Sequence, residues 1–254
     1  MDVIAFLAAM KLEARPLLRL VGRYVKGTMG PFTCYHFHVS QTRCILVETG
    51  MGRERAVAAT RALLSLGRPK LIVSLGIAGA PGHGLRVGDL VIGHSVCELR
   101  GHELSPPRPI TRLSSNARQA AARAAGAFGR RTVSGVVIST GGEQAVELAD
   151  PEHSAIEMET AAIAGVCAEH NVPLAALRSI SDTPEQPIPF RLRELLDSRQ
   201  QIRTGSLVAA IALRPSLLAP LLRLWRNARL ASRVAAAAAL AAASEEIRKC
   251  CTHA

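Results

Sequence analysis

The sequence predicts an α/β layered domain, and two observations carry this. Short apolar runs alternate with helical patterns through the first two-thirds of the 254-residue chain, the order expected when strands and helices stack in layers. Several runs are continuous Val/Ile/Leu, as in strands covered on both faces. The first is a strand over Asp2–Ala8. It is apolar from its second residue, has no basic n-region, and is cut short by Lys11, Glu13 and Arg15, so a buried strand explains it better than a signal peptide. A helix over Glu13–Leu20 follows, then strands over Thr33–Val39 and Arg43–Glu48, a helix over Arg53–Leu66 and a strand over Lys70–Leu75. Further strands are expected over Leu90–His94, Gly135–Ser139 and Leu174–Ser181, and helices over Ser115–Ala127, Met158–His170 and Arg191–Leu213. Gly50, Gly52, Gly76, Gly79, the Pro81–Gly84 stretch, Gly141, Gly142 and the Pro184–Pro189 stretch mark the joints.

Composition bounds the function. With 48% hydrophobic and 20% charged residues the chain is not disordered, and it is long enough to bury a substantial core. Net charge is +11, and all but four of the 31 basic residues are arginine. That balance leaves phosphates or an anionic membrane as partners. Five Phe, two Tyr and one Trp are too few for a base-stacking platform, so nucleic acid is not expected. No run of 18 apolar residues exists, so no spanning helix is predicted. The six cysteines form no CxxC pair and no metal-ligand spacing. They read as reduced, mostly buried thiols of a cytoplasmic protein, with neither metal nor organic cofactor expected. Charge is unevenly spread. Residues 214–254 hold seven basic residues against two acids, +5 of the +11, with Leu217, Leu218, Leu221, Leu222, Leu224 and Trp225 among them. The chain therefore divides into a body, 1–213, and a basic Leu/Ala-rich helical extension, 214–254.

Four segments carry candidate chemistry. In the first, a strand through Val47 runs into Glu48-Thr49-Gly50-Met51-Gly52 and a helix from Arg53. Glycines at such a turn let backbone N–H groups approach an anion or a sugar oxygen. In the second, a buried strand through Val73-Ser74-Leu75 enters the small-residue stretch Gly76-Ile77-Ala78-Gly79-Ala80, where a ligand can lie against backbone at the strand's carboxyl end. In the third, Glu157 and Glu159 flank Met158 at the head of an Ala-rich helix. The helix dipole favours an ionised carboxylate there, suited to accept hydrogen bonds from vicinal hydroxyls. In the fourth, an apolar strand ends in Arg178-Ser179-Ile180-Ser181-Asp182 before Pro184. Partial desolvation of Asp182 raises its pKa and lets it deliver a proton near neutral pH. Each segment alone also fits a plain structural role: a tight turn, a solvated first turn of a helix, or a turn-capping Asp.

Together and in this order, the four segments resemble the nucleoside phosphorylase and nucleosidase superfamily over roughly residues 2 to 213. Glu157-Met158-Glu159 followed by Thr160-Ala161-Ala162, then Arg178-Ser179-Ile180-Ser181-Asp182 after Val172-Pro173, carries the resemblance. It implies a three-layer αβα sandwich with a mixed central sheet. It also implies that Asp182, with Ser181 beside it, protonates or hydrogen-bonds N7 of a departing purine. Glu159 would hold the ribose 2′- and 3′-hydroxyls, Met158 would pack under the sugar, and Arg178 would pair with Glu157 and fix the loop. Gly76, Ile77, Gly79, Gly142 and Phe190 would line the substrate. The start Ala8-Ala9-Met10-Lys11-Leu12-Glu13 looks like that of the methylthioadenosine/adenosylhomocysteine nucleosidases, in which the residue at Glu13 activates water. The chain lacks the Gly-Asp-x-x-Arg segment of phosphorylases, and Ile77 weakens a phosphate site. Water is therefore the expected nucleophile. Phosphorolysis, with Gly50, Gly52 and Arg53 as the phosphate site, is the alternative. No aromatic residue follows Gly135–Ser139, where the nucleosidases place a ring against the base; Thr140-Gly141-Gly142-Glu143 stands there instead.

The basic extension looks like the hopanoid-associated branch of the superfamily. That likeness implies release of adenine from adenosylhopane, a lipid nucleoside, giving ribosylhopane. Residues 214–233 would then rest on an anionic membrane surface, with Trp225 at the interface. The alternatives are a soluble methylthioadenosine/adenosylhomocysteine nucleosidase or a purine nucleoside phosphorylase. The family resemblance also implies a homo-oligomer, commonly a dimer.

Overall fold

The computed structural model describes residues 3–110, 113–141, 153–186 and 218–251. Eleven strands form one sheet: β1 (Val3–Ala8), β2 (Val25–Met29), β3 (Phe32–Val39), β4 (Thr42–Glu48), β5 (Leu71–Gly79), β6 (Leu90–Arg100), β7 (Glu103–Leu104), β8 (Arg108–Pro109), β9 (Thr132–Thr140), β10 (Ser154–Glu157) and β11 (Leu174–Asp182). The helices are α1 (Lys11–Val21), α2 (Arg53–Ser65), α3 (Ser115–Gly126), α4 (Thr160–Glu169) and α5 (Leu218–Cys251). The strand order is β10-β9-β6-β11-β5-β1-β4-β3-β2, with β7 and β8 paired to β6. Central pairs β4–β1–β5–β11 are parallel, whereas β11–β6 and β4–β3–β2 are antiparallel, so the sheet is mixed.

Strand alternation explains the layers. Ile4, Phe6 and Ala8 of β1 join one buried cluster, while Ala5 and Leu7 join another, because successive side chains of a strand point to opposite faces. The first cluster contains Ala14 and Leu17 of α1, Ala117 and Ala121 of α3, and Val234, Ala238 and Ala242 of α5. The second contains Ala56 and Leu63 of α2, and Ile163 and Val166 of α4. Helices thus cover both faces, giving the three-layer αβα sandwich with a mixed sheet.

The structure differs from the sequence reading at several elements. β5 continues through Gly76–Gly79 in parallel register with β11, so the small-residue stretch is strand rather than loop. β2 was not anticipated: its Val25-Lys26-Gly27-Thr28 lies mostly exposed at the sheet edge and shows no buried-strand pattern. β10 is only four residues long, too short for a periodic signal. It pairs in parallel with β9 and also bridges Ile156 to Gly79 of β5, which brings Glu157 to the end of β5. The helix expected over Met158–His170 begins at Thr160, with Glu159 as its N-cap. The described part of the C-terminal stretch, α5, packs against the body. From Ala228 onward α5 turns buried residues to the sheet, and Val234, Ala238 and Ala242 lie within the same cluster as β1, β5 and β11. Alanines allow this close approach of helix and strand. The helix expected over Arg191–Leu213 lies outside the described residues.

Candidate active site

Glu13 lies in the first turn of α1, and its carboxylate reaches back to the chain entering the helix. Oε2 accepts from the Met10 N–H at 2.9 Å, and Oε1 accepts from the Ile77 N–H of β5 at 2.9 Å. The first contact is the reach-back half of a capping box. The second needs Gly76: a Cβ there would stand 2.5 Å from Glu13 Oε1. Burial raises the pKa of Glu13, opposed by the Ile77 N–H, the Arg178 charge and the Met10 N–H.

Glu157 and Glu159 look alike in sequence but not in the fold. Glu157, at the end of β10, accepts from the Thr160 N–H at 3.0 Å, the Thr160 hydroxyl at 2.8 Å and the Glu159 N–H at 3.1 Å. The Ser139 hydroxyl also donates to it. Arg178, buried on β11, pairs with it at 3.0 Å. Burial alone would raise the Glu157 pKa, but Arg178, Ser139 and Thr160 outweigh it and hold the carboxyl below its ordinary value. The Arg178 guanidinium also donates to the Ser74 and Thr160 hydroxyls, both at 2.7 Å, and to the Leu177 carbonyl at 3.1 Å.

Among the described residues no cation forms an ion pair with Glu159. Its Oε1 accepts from the Gly52 N–H at 2.7 Å. Burial, then the neighbouring Glu157 charge, push its pKa up to about 8, against the Gly52 N–H. Desolvation and a second carboxylate therefore work against the helix terminus, which favours the ionised acid, at Glu159. Gly52 itself has φ +91°, a conformation open to glycine.

Asp182 ends β11. Its Oδ1 accepts from the Ser181 hydroxyl at 2.6 Å, and that hydroxyl also contacts the Ala78 carbonyl at 3.3 Å. Gly79 makes room for it, since a Cβ there would stand 2.7 Å from Asp182 Oδ2. Burial raises the Asp182 pKa, opposed by the Ser181 hydroxyl. The glycines of β5 thus seat two different carboxylates, Glu13 at Gly76 and Asp182 at Gly79.

Glu13, Glu159 and Arg178 line one cavity of about 10 Å³ together with Thr49, Ser74 and Ile77. That is near the least volume that holds one water. Of the remaining sequence-predicted residues, Met158 is half-buried between β10 and α4. Gly50 turns the chain after β4, and its missing side chain leaves space for the Arg55 guanidinium, whose Nε would lie 2.0 Å from a Cβ. Arg53 is outside this cavity: it is exposed and paired with Glu98 at 2.6 Å. Gly142 and Phe190 lie outside the described residues. Sequence reasoning missed Ser139, Thr160, Thr49 and Arg55. Ser139, at the end of a Val/Ile run, also accepts from the Ala161 N–H at 2.8 Å; a hydroxyl there was its only signal. Among the described residues no group of three His, Cys, Asp or Glu could hold a metal ion.

Known proteins resemble this chain in sequence and in fold. A family model described as the phosphorylase superfamily matches residues 3–212. The 5′-methylthioadenosine/S-adenosylhomocysteine nucleosidase of Actinobacillus succinogenes is 30% identical over 212 residues, spanning 76% of this chain and 91% of that protein. Its counterpart in Haemophilus influenzae is 28% identical over 214 residues, spanning 76% and 91%. Among solved structures, the Neisseria meningitidis nucleosidase of this name, in complex with methylthio-immucillin-A, superposes with a TM-score of 0.67 at 21% identity, over 96% of this chain and 100% of that one. Futalosine hydrolase of Helicobacter pylori gives 0.65 at 19% identity, over 96% and 98%. These two structures share the fold. On the match over 3–212, the chain belongs to the phosphorylase superfamily.

Proposed function

We propose that this protein is a purine nucleosidase that cleaves an N-glycosidic bond with water and releases adenine. The observation that carries the reading is the cavity shared by Glu13 and Glu159, sized for one water, with Asp182, at the end of β11, packed against Gly79 of β5, three residues beyond the Gly76 that makes room for Glu13. In the reaction, Asp182 gives its proton to N7 of the base. The C1′–N9 electron pair leaves with adenine, and the sugar passes through an oxocarbenium-like state. Water adds to C1′ and loses a proton to Glu13, and return of that proton to Asp182 through solvent closes the cycle. Burial suits Asp182 to carry a proton. Glu159, ionised on binding, accepts from the ribose 2′- and 3′-hydroxyls, and Met158 packs under the sugar. The nucleosidases similar to this chain are named for adenine nucleosides, which supports adenine as the leaving base. Water rather than phosphate is supported by the engagement of the β4–α2 turn, where the Gly52 N–H serves Glu159 and Arg53 serves Glu98.

The substrate we favour is adenosylhopane, cleaved to ribosylhopane in hopanoid biosynthesis at the inner membrane face. Supporting it is the start of α5, where Leu222 and Trp225 are each 53% exposed among Arg223, Arg226 and Arg229, a surface for anionic lipid. No helix among the described residues is long and apolar enough to cross a membrane. The test follows adenine by chromatography with adenosylhopane or methylthioadenosine, with and without phosphate. Release from adenosylhopane without phosphate is expected. A strict phosphate requirement overturns the hydrolytic reading, and activity confined to methylthioadenosine overturns the lipid substrate.

A further inference from the structure

The link between α5 and the strand end bearing Asp182 has no part in the chemistry above. Asn227 Nδ2 donates to Gln186 Oε1 at 3.0 Å. The Gln186 N–H donates to the Thr183 carbonyl at 2.9 Å, and the two residues form an isolated β-bridge. Thr183 is buried and follows Asp182 directly, while the Asp182 carbonyl accepts from the Ala80 N–H at 2.9 Å. A short chain of hydrogen bonds therefore runs from α5 to the turn that fixes Asp182.

The helix around Asn227 faces two ways. Ala228, Ala231 and Val234 are buried, while Leu222, Trp225, Arg226, Arg229 and Arg233 form one exposed stripe at the spacing of a single helix face. The Arg229 guanidinium lies over the Trp225 ring at 4.4 Å, which holds this aromatic in place. No acid occurs between Arg214 and Arg233. An exposed indole and leucine among cations complement an anionic bilayer.

We propose that Asn227 is a positioning residue through which docking of the α5 stripe on an anionic bilayer steadies the Asp182 turn and raises turnover. This rests on the functional reading above, with Asp182 as the acid. Docking immobilises the helix at Trp225 and Arg226, adjacent to Asn227. The Asn227–Gln186 bond then holds the turn in its competent arrangement for a larger share of the time. A free helix end lets that bond open, and Asp182 loses alignment without any change at the ribose-binding Glu159.

The experiment uses the full chain with a soluble substrate, methylthioadenosine, so that substrate partitioning plays no part. Vesicles rich in phosphatidylglycerol are compared with pure phosphatidylcholine. The wild type is expected to float with the anionic vesicles only, and there to show kcat raised about 3- to 10-fold with KM unchanged, the size set by one neutral hydrogen bond. Asn227→Ala floats equally but has kcat lowered by a similar factor and no stimulation. Gln186→Ala matches it, and the double variant is no worse than either, because both remove one bond. Trp225→Ser with Arg226→Glu loses both flotation and stimulation. Hydrogen exchange across 183–186, slowed by anionic vesicles in wild type but not in Asn227→Ala, reads the link without substrate. Additive losses, or full stimulation of Asn227→Ala, overturn the positioning role. Failure to float, or flotation without stimulation, overturns the coupling. A wild type that releases no adenine from any nucleoside sinks the functional reading instead, and the exchange measurement then decides the link by itself.

Discussion

Replacing Gly76 with alanine tests whether Glu13 must stand where it does. The new Cβ would lie 2.5 Å from Glu13 Oε1, and ordinary contact begins at 3.4 Å, so the carboxylate must retreat by about 0.9 Å, the difference of the two. Its bond from the Ile77 N–H, 2.9 Å at present, then stretches to as much as about 3.8 Å and breaks. Losing a hydrogen bond to a charged group costs about 1.5–3 kcal/mol. The backbone at Gly76 is not in the left-handed region, so alanine recovers about 0.4–1 kcal/mol by restricting the unfolded chain. A net loss of roughly 1–2 kcal/mol lowers Tm by about 2–8 °C for a chain of this size. Activity suffers far more, because a catalytic group displaced by about 1 Å loses roughly 100-fold in rate. The assay is adenine release alongside thermal unfolding. A variant that folds with the modest Tm change yet keeps its rate within about threefold of wild type would refute the placement of Glu13 as the base.

Three further outcomes are expected. Arg178→Met leaves Glu157 buried without its cation and costs about 3–5 kcal/mol in denaturant unfolding; a loss under about 1 kcal/mol contradicts the pairing. For Glu159, the folded pKa of about 8 lies above the ordinary 4.5. The protonated group therefore contributes stability that is complete below pH 4.5 and lost as pH rises through 8. Relative to Glu159→Gln, the wild type should weaken across that window, and parallel stability–pH curves would contradict this. Arg53→Ala, which removes an exposed pair with Glu98, should leave adenine release within about twofold and unresponsive to phosphate.

Much of the fold was legible because the central strands are continuous apolar runs. β1, β4, β9 and β11 lie where Val, Ile and Leu cluster, with boundaries shifted by a few residues. The misses have physical causes. Edge strand β2 buries little, β10 is too short to show a period, and the glycines extending β5 look like a loop when seen without β11 beside them. Within the site, Glu13, Glu157, Glu159, Arg178 and Asp182 could be named from sequence. Ser139 and Thr160, which satisfy Glu157, carry no distinctive local pattern.

The sequence by itself determined the class of the domain and the basic character of the C-terminal stretch, because each depends on local composition and spacing; Glu157, Glu159 and Asp182 stood out by their place at helix and strand ends, and Glu13 through a family resemblance. The tertiary structure decided what those features mean. Glu157 and Glu159 stand two residues apart with the same chemistry. One is held ionised because β11 brings Arg178 against it; the other is pushed towards neutrality because it is buried beside that first charge, accepting from the Gly52 N–H and, among the described residues, paired with no cation. Likewise α5 is half core and half surface: its alanines fit close beneath the sheet, and its first turns, beyond the reach of that packing, leave Leu222 and Trp225 in solvent. Charge state and burial depend on neighbours distant in the chain, and only the fold supplies them.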